Sequence, residues 1–142
     1  MLYTGSCLCQ KIQFQIEAKS PLPFGHCHCC ACRKSHGADH TSATIIGEQQ
    51  LELLQGRDSL AIYQSSNNMQ RQFCQHCGSR LFVRFIRKDQ QGERVFYTVA
   101  INTLDKLDQW RETAHIYTAH KAPWIELTDD LPKAAENFPP KA

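Results

Sequence analysis

The chain has 142 residues, 42% of them apolar, which predicts one folded domain with a buried core and excludes wholesale disorder. Sixteen lysines and arginines against 14 acidic residues leave a formal net charge of +2, which argues against nucleic-acid binding through net charge. No apolar run approaches the ~20 residues of a membrane helix, and the segment from Met1 lacks the features of a secretory signal. We therefore expect a cytoplasmic protein without membrane partners.

The predicted elements are mostly strands. Ile12, Phe14 and Ile16 alternate with polar residues, which is typical of a half-buried strand. Further strands are predicted over residues 44–46, 51–54, 60–63, 80–86 and 94–101, with the polar segment 87–92 joining the last two as a hairpin. The pattern predicts a short helix over residues 104–110 with Thr103 as its cap. We therefore expect a mainly β domain.

The end of the chain is richer in proline than the rest. Pro132, Pro139 and Pro140 predict an extended, partly loose tail over residues 132–142. The folded domain is accordingly expected to cover residues 1–131.

Cysteine is the unusual part of the composition, with eight in the chain. Disulfides are rare in a reducing compartment, where clustered cysteines more often bind metal or carry out chemistry. The eight fall into three groups, at residues 7–9, 27–32 and 74–77.

The first and third groups together supply a full set of ligands for one metal ion. Cys7 and Cys9 point to the same side of an extended chain. Cys74 and Cys77 are spaced by two residues and followed by Gly78, as in a zinc knuckle. These four thiolates predict a closed structural zinc site. The alternatives are buried cysteines that act as small apolar residues, or pairs of redox thiols.

The second group predicts a different kind of site. Cys27, Cys29 and Cys32 can converge, and three protein ligands leave one position open, as in a catalytic zinc site. Cys30 is a spare thiol, a substitute ligand or an oxidation site, and His26 or His28 would close the site as a fourth ligand. A metal-free cluster or a Cys29–Cys32 disulfide are the alternatives.

The motifs, in this order, resemble the glutathione-dependent formaldehyde-activating enzyme family, which shares its domain with centromere protein V. The residues that carry the resemblance are Gly5-x-Cys7-x-Cys9, Cys27-His28-Cys29-x2-Cys32-Arg33, Phe73-Cys74-x2-Cys77-Gly78-Ser79, and His115-Ile116 to Pro123-Trp124. The resemblance implies a β-tent fold of antiparallel sheets. It also implies a structural zinc on Cys7, Cys9, Cys74 and Cys77, and a second zinc at the substrate pocket on Cys27, Cys29 and Cys32.

The resemblance further implies a carbon–sulfur lyase or synthase that acts on a thiol–aldehyde adduct such as S-hydroxymethylglutathione. An open zinc position deprotonates a coordinating thiol. Because three thiolates already make the second site negative, we expect its zinc to be lost easily. Arg33, Lys34 and Lys121 are candidate partners for the glutathione carboxylates, the alternative being ordinary solvated charges. Trp124 is a candidate substrate-binding residue, in the pocket wall or in the core.

Three further residues are candidates for the pocket. His36 is either a proton shuttle or an exposed loop residue. His115 and Tyr117 are expected on one strand face, beside the site or within the sheet.

Two other functions are compatible with the sequence. In one, both metals are structural and the protein is a non-catalytic zinc-binding module for a protein or nucleic-acid partner. In the other, Cys29 and Cys32 form a redox pair, which would need a thiolate of low pKa at a helix N-terminus. The mainly β pattern gives that second alternative little support, and the sequence does not indicate an oligomeric state.

Overall fold

Two β-sheets form the framework of residues 1–137, the part of the chain that the structure, a computed structural model, describes. This part contains ten strands and one α-helix: β1 (Leu2–Ser6), β2 (Gln13–Glu17), β3 (Phe24–Cys27), α1 (Cys30–His36), β4 (Thr41–Gly47), β5 (Leu51–Gln55), β6 (Leu60–Ser66), β7 (Met69–Cys74), β8 (Arg80–Asp89), β9 (Gly92–Ala100) and β10 (Glu112–Ile116). Four 3-10 helices cover Glu48–Gln50, Arg57–Ser59, Ile101–Thr103 and Thr118–His120.

The smaller sheet has the strand order β1-β2-β5, with all pairs antiparallel. The predicted alternation is confirmed, because Ile12, Phe14 and Ile16 are each fully buried while the polar residues between them are not. The apolar face of β2 therefore points into the core, as period-two spacing requires.

The larger sheet has the order β10-β3-β4-β9-β8-β7-β6. Its pairs are antiparallel except that β10 runs parallel to β3. The hairpin predicted around residues 87–92 is confirmed, but its strands extend further and pair up to Asp89 and Gly92. The turn is therefore shorter than the polar composition suggested.

One face of the larger sheet packs on the core, and the other face lines a cavity. Ile46, Phe82 and Val99 point to the core, where Phe82 meets Phe14 of the smaller sheet edge to face at 4.9 Å. Burying each large side chain of this kind stabilises the fold by about 1.5–3 kcal/mol. Ile45, Val83 and Thr98, which alternate with them, point to the other face and line a cavity, described below.

The predicted fold class, mainly β with antiparallel sheets in a single domain, is confirmed. Residues 1–137 contain no helix with the length and apolar character needed to span a lipid bilayer.

The helix predicted over residues 104–110 is wrong. The backbone there hydrogen bonds to the edge of β1 instead, because Leu104 forms an antiparallel bridge with Gly5 and the Asp105 N–H donates to the Thr4 carbonyl. Leu104 and Trp110 are buried in the core. Tertiary pairing with an open strand edge has therefore overridden a weak local helix preference.

The only α-helix in residues 1–137 was not predicted. α1 buries none of its seven residues fully, so the sequence shows no apolar period of 3.6. It ends at Gly37, whose positive φ of 60° allows the backbone to turn away.

Residues 132–136, which belong to the predicted tail, lie along β10. The His115 N–H donates to the Pro132 carbonyl, and the Tyr117 N–H donates to the Glu136 carbonyl. This part of the tail is thus hydrogen bonded. Residues 138–142, with Pro139 and Pro140, lie outside the described residues, and the boundary at residue 131 stays a prediction.

Candidate metal centres and active site

The four-cysteine cluster joins two segments that are distant in sequence. Cys7 and Cys9 lie in the turn after β1, while Cys74 ends β7 and Cys77 lies in the turn before β8. All four sulfurs lie within 4.8 Å of one another, with 3.6 Å between Cys7 and Cys9 and 3.8 Å between Cys9 and Cys74. The fold therefore brings these four residues together, as predicted.

The turn that presents Cys74 and Cys77 is closed by backbone hydrogen bonds. The Gly78 N–H donates to the Cys74 carbonyl over 2.8 Å, and Gly78 has a φ of +76°. Residues with a Cβ adopt this region at a cost, so glycine after the second cysteine keeps the turn unstrained. Both sulfurs thereby face the Cys7–Cys9 turn.

The chemistry of this cluster fits zinc. Zinc–sulfur distances of about 2.3 Å in a tetrahedron place sulfurs about 3.8 Å apart, close to the separations found here. The Ile12 N–H donates to the Cys7 sulfur over 3.3 Å. The Ser79 hydroxyl, 3.3 Å from the Cys77 sulfur, lowers the pKa of that thiol to about 5. The Ser79 hydroxyl thereby stabilises the Cys77 thiolate, which is the form that binds metal.

The three-cysteine cluster forms within one short segment. Cys27 ends β3, Cys29 is the N-cap of α1, and Cys32 lies in the first turn of α1. Their sulfurs also lie within 4.8 Å of one another, and all three residues are half-buried. All three residues line a large cavity, which is described below.

Hydrogen bonds within the three-cysteine cluster concentrate negative charge on one sulfur. The pKa of Cys29 is lowered to about 2 because its sulfur accepts hydrogen bonds from the thiols of Cys27 and Cys32, and from the Cys32 N–H at 3.3 Å. Hydrogen bonding to Cys29 and Cys32 raises the pKa of the Cys27 thiol. The cluster is thus organised to hold a thiolate ligand set.

None of the three candidates for a fourth ligand joins the cluster. Cys30 is exposed and its sulfur lies outside the group. His26 lies on the opposite face of β3 from Cys27 and bonds the Ser42 hydroxyl over 2.8 Å. His28 is fully buried with Nε2 at 2.9 Å from Nδ1 of His115. Within residues 1–137, three cysteines are therefore the complete cysteine, histidine and carboxylate set, which fits a zinc site with an open position.

The cavity beside this cluster has a volume of about 790 Å³. Its floor is the outer face of the larger sheet, where Gly25, Ala43 and Ala100 lie side by side on neighbouring strands. Because the residues at these three positions are small, the cavity is deep enough next to Cys27 to hold a ligand.

Arginines provide the charge of the cavity. Arg71, Arg80 and Arg87 contribute to its wall, and no acidic side chain among residues 1–137 does. Arg80 donates from Nε to the Ser35 carbonyl over 2.8 Å, while its buried Nη1 has no hydrogen-bond partner within residues 1–137. The pKa of His36, at the end of α1, is lowered by burial and by Arg80 and Arg71, so this cavity residue is neutral near pH 7. The cavity therefore favours an anionic ligand.

The predicted substrate residues lie elsewhere. Arg33 and Lys121 do not line the cavity, and the Lys121 ammonium donates to the Ile125 carbonyl over 2.8 Å. Trp124 is 72% exposed, with its indole N–H donating to Asp39 over 2.9 Å. The cavity arginines were missed because they lie on strands distant from the cysteine motifs. The β7–β8 register, which pairs Arg71 with Val83, is what brings the arginines to the face of the larger sheet that lines the cavity.

Tyr117 lines the cavity, but His115 does not. The prediction that they share a strand face is wrong, because β10 ends at Ile116 and Tyr117 has a positive φ of 55°. For a residue other than glycine this backbone is strained, and such strain is typical of functional sites. Burial, together with the charges of Cys27 and Cys29, raises the pKa of Tyr117, so its hydroxyl keeps its proton.

A chain of hydrogen bonds supports the turn between Cys27 and Cys29 from behind. His28 bonds His115, and Nε2 of His115 lies 2.8 Å from the Asp129 carboxylate. The pKa of Asp129 is lowered to about 2, first by this contact with His115. The pKa of His28 is lowered to about 4 by burial and by the neighbouring histidines. His28 is therefore held neutral between Cys27 and Cys29.

Comparison with known proteins identifies relatives of this chain. The model of a family described as glutathione-dependent formaldehyde-activating enzyme matches residues 2–120. A Halomonas elongata protein provisionally given that name is 27% identical over 132 residues, covering 89% of this chain and 82% of the relative. A Podospora anserina protein of the same provisional name is 30% identical over 95 residues, which are 66% of this chain but only 42% of that protein.

A crystal structure of a Rhodobacter sphaeroides protein has the same fold. Its TM-score is 0.58 at 20% identity, and the match covers 76% of this chain and 99% of that one.

Proposed function

Because the chain belongs to the glutathione-dependent formaldehyde-activating enzyme family, we propose that it is an enzyme that joins a thiol to an aldehyde and cleaves the adduct again. The thiol class we propose is glutathione, and the reaction class is that of a carbon–sulfur lyase or synthase. The observation that carries this proposal is the opening of the three-cysteine cluster onto an arginine-lined cavity.

The reaction needs no oxidant or reductant. The thiol sulfur forms a bond to the carbonyl carbon, the C=O π electrons move to oxygen, and the thiol proton ends on that oxygen. We propose that zinc occupies both clusters, and zinc at Cys27, Cys29 and Cys32 would deprotonate a thiol that binds to it. The protein's contribution is then to hold the sulfur and the carbonyl carbon together, and proximity of this kind accounts for much of the rate in many enzymes.

Residues of the cavity would orient both reactants. Arg71, Arg80 and Arg87 are placed to bind the carboxylates of glutathione through charge-assisted hydrogen bonds. The charge on Cys29 contributes to the raised pKa of Tyr117, which keeps the hydroxyl protonated. This hydroxyl would donate a hydrogen bond to the carbonyl oxygen of the aldehyde as that oxygen gains negative charge. We place the reaction in the cytoplasm, where free glutathione and reduced cysteines coexist.

A second candidate function has a specific observation in its favour. Cys29 is the N-cap of α1 with a lowered pKa, and Cys32 follows it in a Cys-x2-Cys spacing, as a dithiol redox protein would require. Cys27 argues for metal binding instead, because its sulfur joins the same cluster and a redox pair does not need it.

Cobalt substituted for zinc would test the proposed function. Thiolate-to-cobalt charge-transfer bands change when another sulfur enters the coordination shell. We expect glutathione to change the bands of the open site, whereas S-methylglutathione, which cannot form a thiolate, should not. The four-cysteine cluster is already complete and supplies a constant background. Equal responses to both compounds, or no response to either, would contradict thiol ligation.

Turnover requires a separate measurement, because thiols and aldehydes combine without a catalyst. We expect acceleration of adduct formation above the uncatalysed rate, lost in Cys29→Ser and kept in Lys88→Ala. Lys88 is a suitable control because it is exposed and forms an ion pair with Glu93 on the β8–β9 hairpin, away from the cavity. The redox alternative predicts instead that the metal-free protein reduces a disulfide substrate, and that Cys27→Ser keeps this activity.

A further inference from the structure

The cavity is much larger than formaldehyde requires. Formaldehyde has two non-hydrogen atoms and would occupy no more space than two water molecules, about 60 Å³. The volume of about 790 Å³ lies in the upper part of the range for pockets that enclose drug-sized ligands. Glutathione would fill part of the remaining space, so the question is whether the wall suits glutathione throughout.

The arginines of the wall lie on one side of the cavity, among apolar residues such as Val83 and Phe85, whereas the other side has no charged side chain among residues 1–137. Arg71, Arg80 and Arg87 belong to β7 and β8, near one edge of the larger sheet. Leu22, Ile45 and Ile116 line the cavity on the side of β10, β3 and β4, which is also the side of Cys27. Glutathione is polar along its length, with carboxylates, an ammonium group and amides, and pressed against the apolar side it would leave polar groups without partners.

Ile45 shows that the apolar side is available to a ligand. This residue is 47% exposed although it lies in β4, an interior strand of the sheet, because its side chain faces the open cavity. Its neighbour across the sheet is Thr98, also at the cavity floor. An apolar group bound there would remove Ile45 from water, and burial of apolar surface is favourable.

Extending the proposed function, on which this inference rests, we infer that the aldehyde substrate carries an apolar group, either a medium-length alkyl chain or an aromatic ring. The glutathione part of the adduct lies toward the arginines, the sulfur lies at the three-cysteine cluster, and the apolar group lies against Leu22, Ile45 and Ile116. The bond changes are those already given: a C–S bond forms, the carbonyl π bond breaks, and the thiol proton passes to oxygen.

Binding of S-alkylglutathiones tests this inference without relying on turnover. The methyl, butyl and hexyl derivatives are stable analogues of adducts with increasing apolar length, and calorimetry gives their Kd values. We expect Kd to fall about fourfold for each methylene that becomes buried, corresponding to about 0.8 kcal/mol per group. A Kd that is the same for all three derivatives would overturn the inference and leave the proposed function intact. Failure of glutathione and all derivatives to bind would overturn the proposed function itself.

A matched pair of variants locates the apolar group. Ile45→Ser should remove most of the gain from methyl to hexyl while leaving the Kd of S-methylglutathione within about twofold. Ile62→Ser is the control, because Ile62 is a similarly exposed isoleucine of the same sheet, at 55%, that does not line the cavity. An equal effect of both variants on the series would overturn the placement. A turnover measurement compares hexanal with formaldehyde as the aldehyde substrate. We expect kcat/KM to be at least tenfold higher for hexanal than for formaldehyde, and a higher value for formaldehyde would overturn the inference.

Discussion

The two cysteine clusters are built from the same side chain but differ in how the fold surrounds them. The four-cysteine cluster joins the β1–β2 turn to the β7–β8 turn and buries Cys7 and Cys74 completely. The three-cysteine cluster lies within residues 27–32, with half-buried sulfurs beside a large cavity. A site that joins distant segments contributes to folding, whereas a local site with one open position can be altered without dismantling the sheets. We therefore expect the four-cysteine cluster to determine stability and the three-cysteine cluster to determine the reaction.

Removal of one ligand from the four-cysteine cluster should have the largest effect. Structural zinc contributes on the order of 10 kcal/mol to the folding of small zinc-binding peptides, and ordinary domains are stable by only about 5–15 kcal/mol. We therefore expect Cys77→Ser to be mostly insoluble or unfolded, as measured by soluble yield and thermal denaturation. Cys30→Ser, which changes an exposed cysteine outside both clusters, should melt like the wild type. A Cys77→Ser protein with wild-type melting would contradict the structural role.

The equivalent change in the three-cysteine cluster should leave the fold intact. Cys29→Ser removes the sulfur that accepts hydrogen bonds from both other thiols. We expect the circular dichroism to be unchanged, the metal content to fall from about two to about one per chain, and catalysis to be lost. Metal content is best measured on protein prepared without chelators or a polyhistidine tag. Loss of both metals together would show that the two clusters form one structural unit.

A change in the charged side of the cavity should affect substrate binding alone. Hydrogen bonds to charged groups contribute about 1.5–3 kcal/mol, so Arg71→Gln should raise KM for glutathione by roughly 10-fold to 100-fold with little change in stability. Arg84→Gln is the matched control, because Arg84 lies on the neighbouring strand and does not line the cavity. If the two variants have the same KM, the arginine wall does not bind the substrate carboxylates.

The smallest effect should come from Asp129, which supports the three-cysteine cluster through His115 and His28. Its pKa is lowered to about 2 from an ordinary value of 3.8, so its contribution to stability is present above about pH 4 and disappears as the pH falls toward 2. The difference in unfolding free energy between wild type and Asp129→Asn should therefore shrink over that interval. Denaturant titrations at several pH values measure it, with Asp130→Asn as the control. A difference independent of pH would contradict an ionised Asp129.

How far the sequence could predict the site depended on distance along the chain. The Cys27–Cys32 group and the Cys74–Cys77 turn are local patterns whose spacing already indicates metal binding. The arginine wall is not a local pattern, because Arg71 and Arg80 lie on different strands and reach the cysteine cluster only through the order of strands in the sheet. Arg33 and Lys121 are close to the motifs in the sequence, but closeness in sequence does not measure closeness in space.

Local structure was predicted where one physical preference dominated. The alternation around Phe14 identified β2, because its apolar side chains recur every second residue and are buried. The segment from Leu104 to Trp110 was misjudged, because its hydrogen-bonding partner is the edge of β1, about a hundred residues away in sequence. α1 was missed because it buries no apolar stripe, and its first turn is held by the Cys29 sulfur.

The sequence by itself determined the mainly β class and the ligand chemistry, because strand periodicity and cysteine spacing are properties of short segments. Only the tertiary structure decided that Cys30, His26 and His28 stay outside the three-cysteine cluster, since each of them is directed elsewhere by the elements that pack around it. It also decided that the outer face of the larger sheet carries small residues at Gly25, Ala43 and Ala100, which creates the cavity beside Cys27. A cavity is space left by elements distant in sequence, and no local preference specifies it.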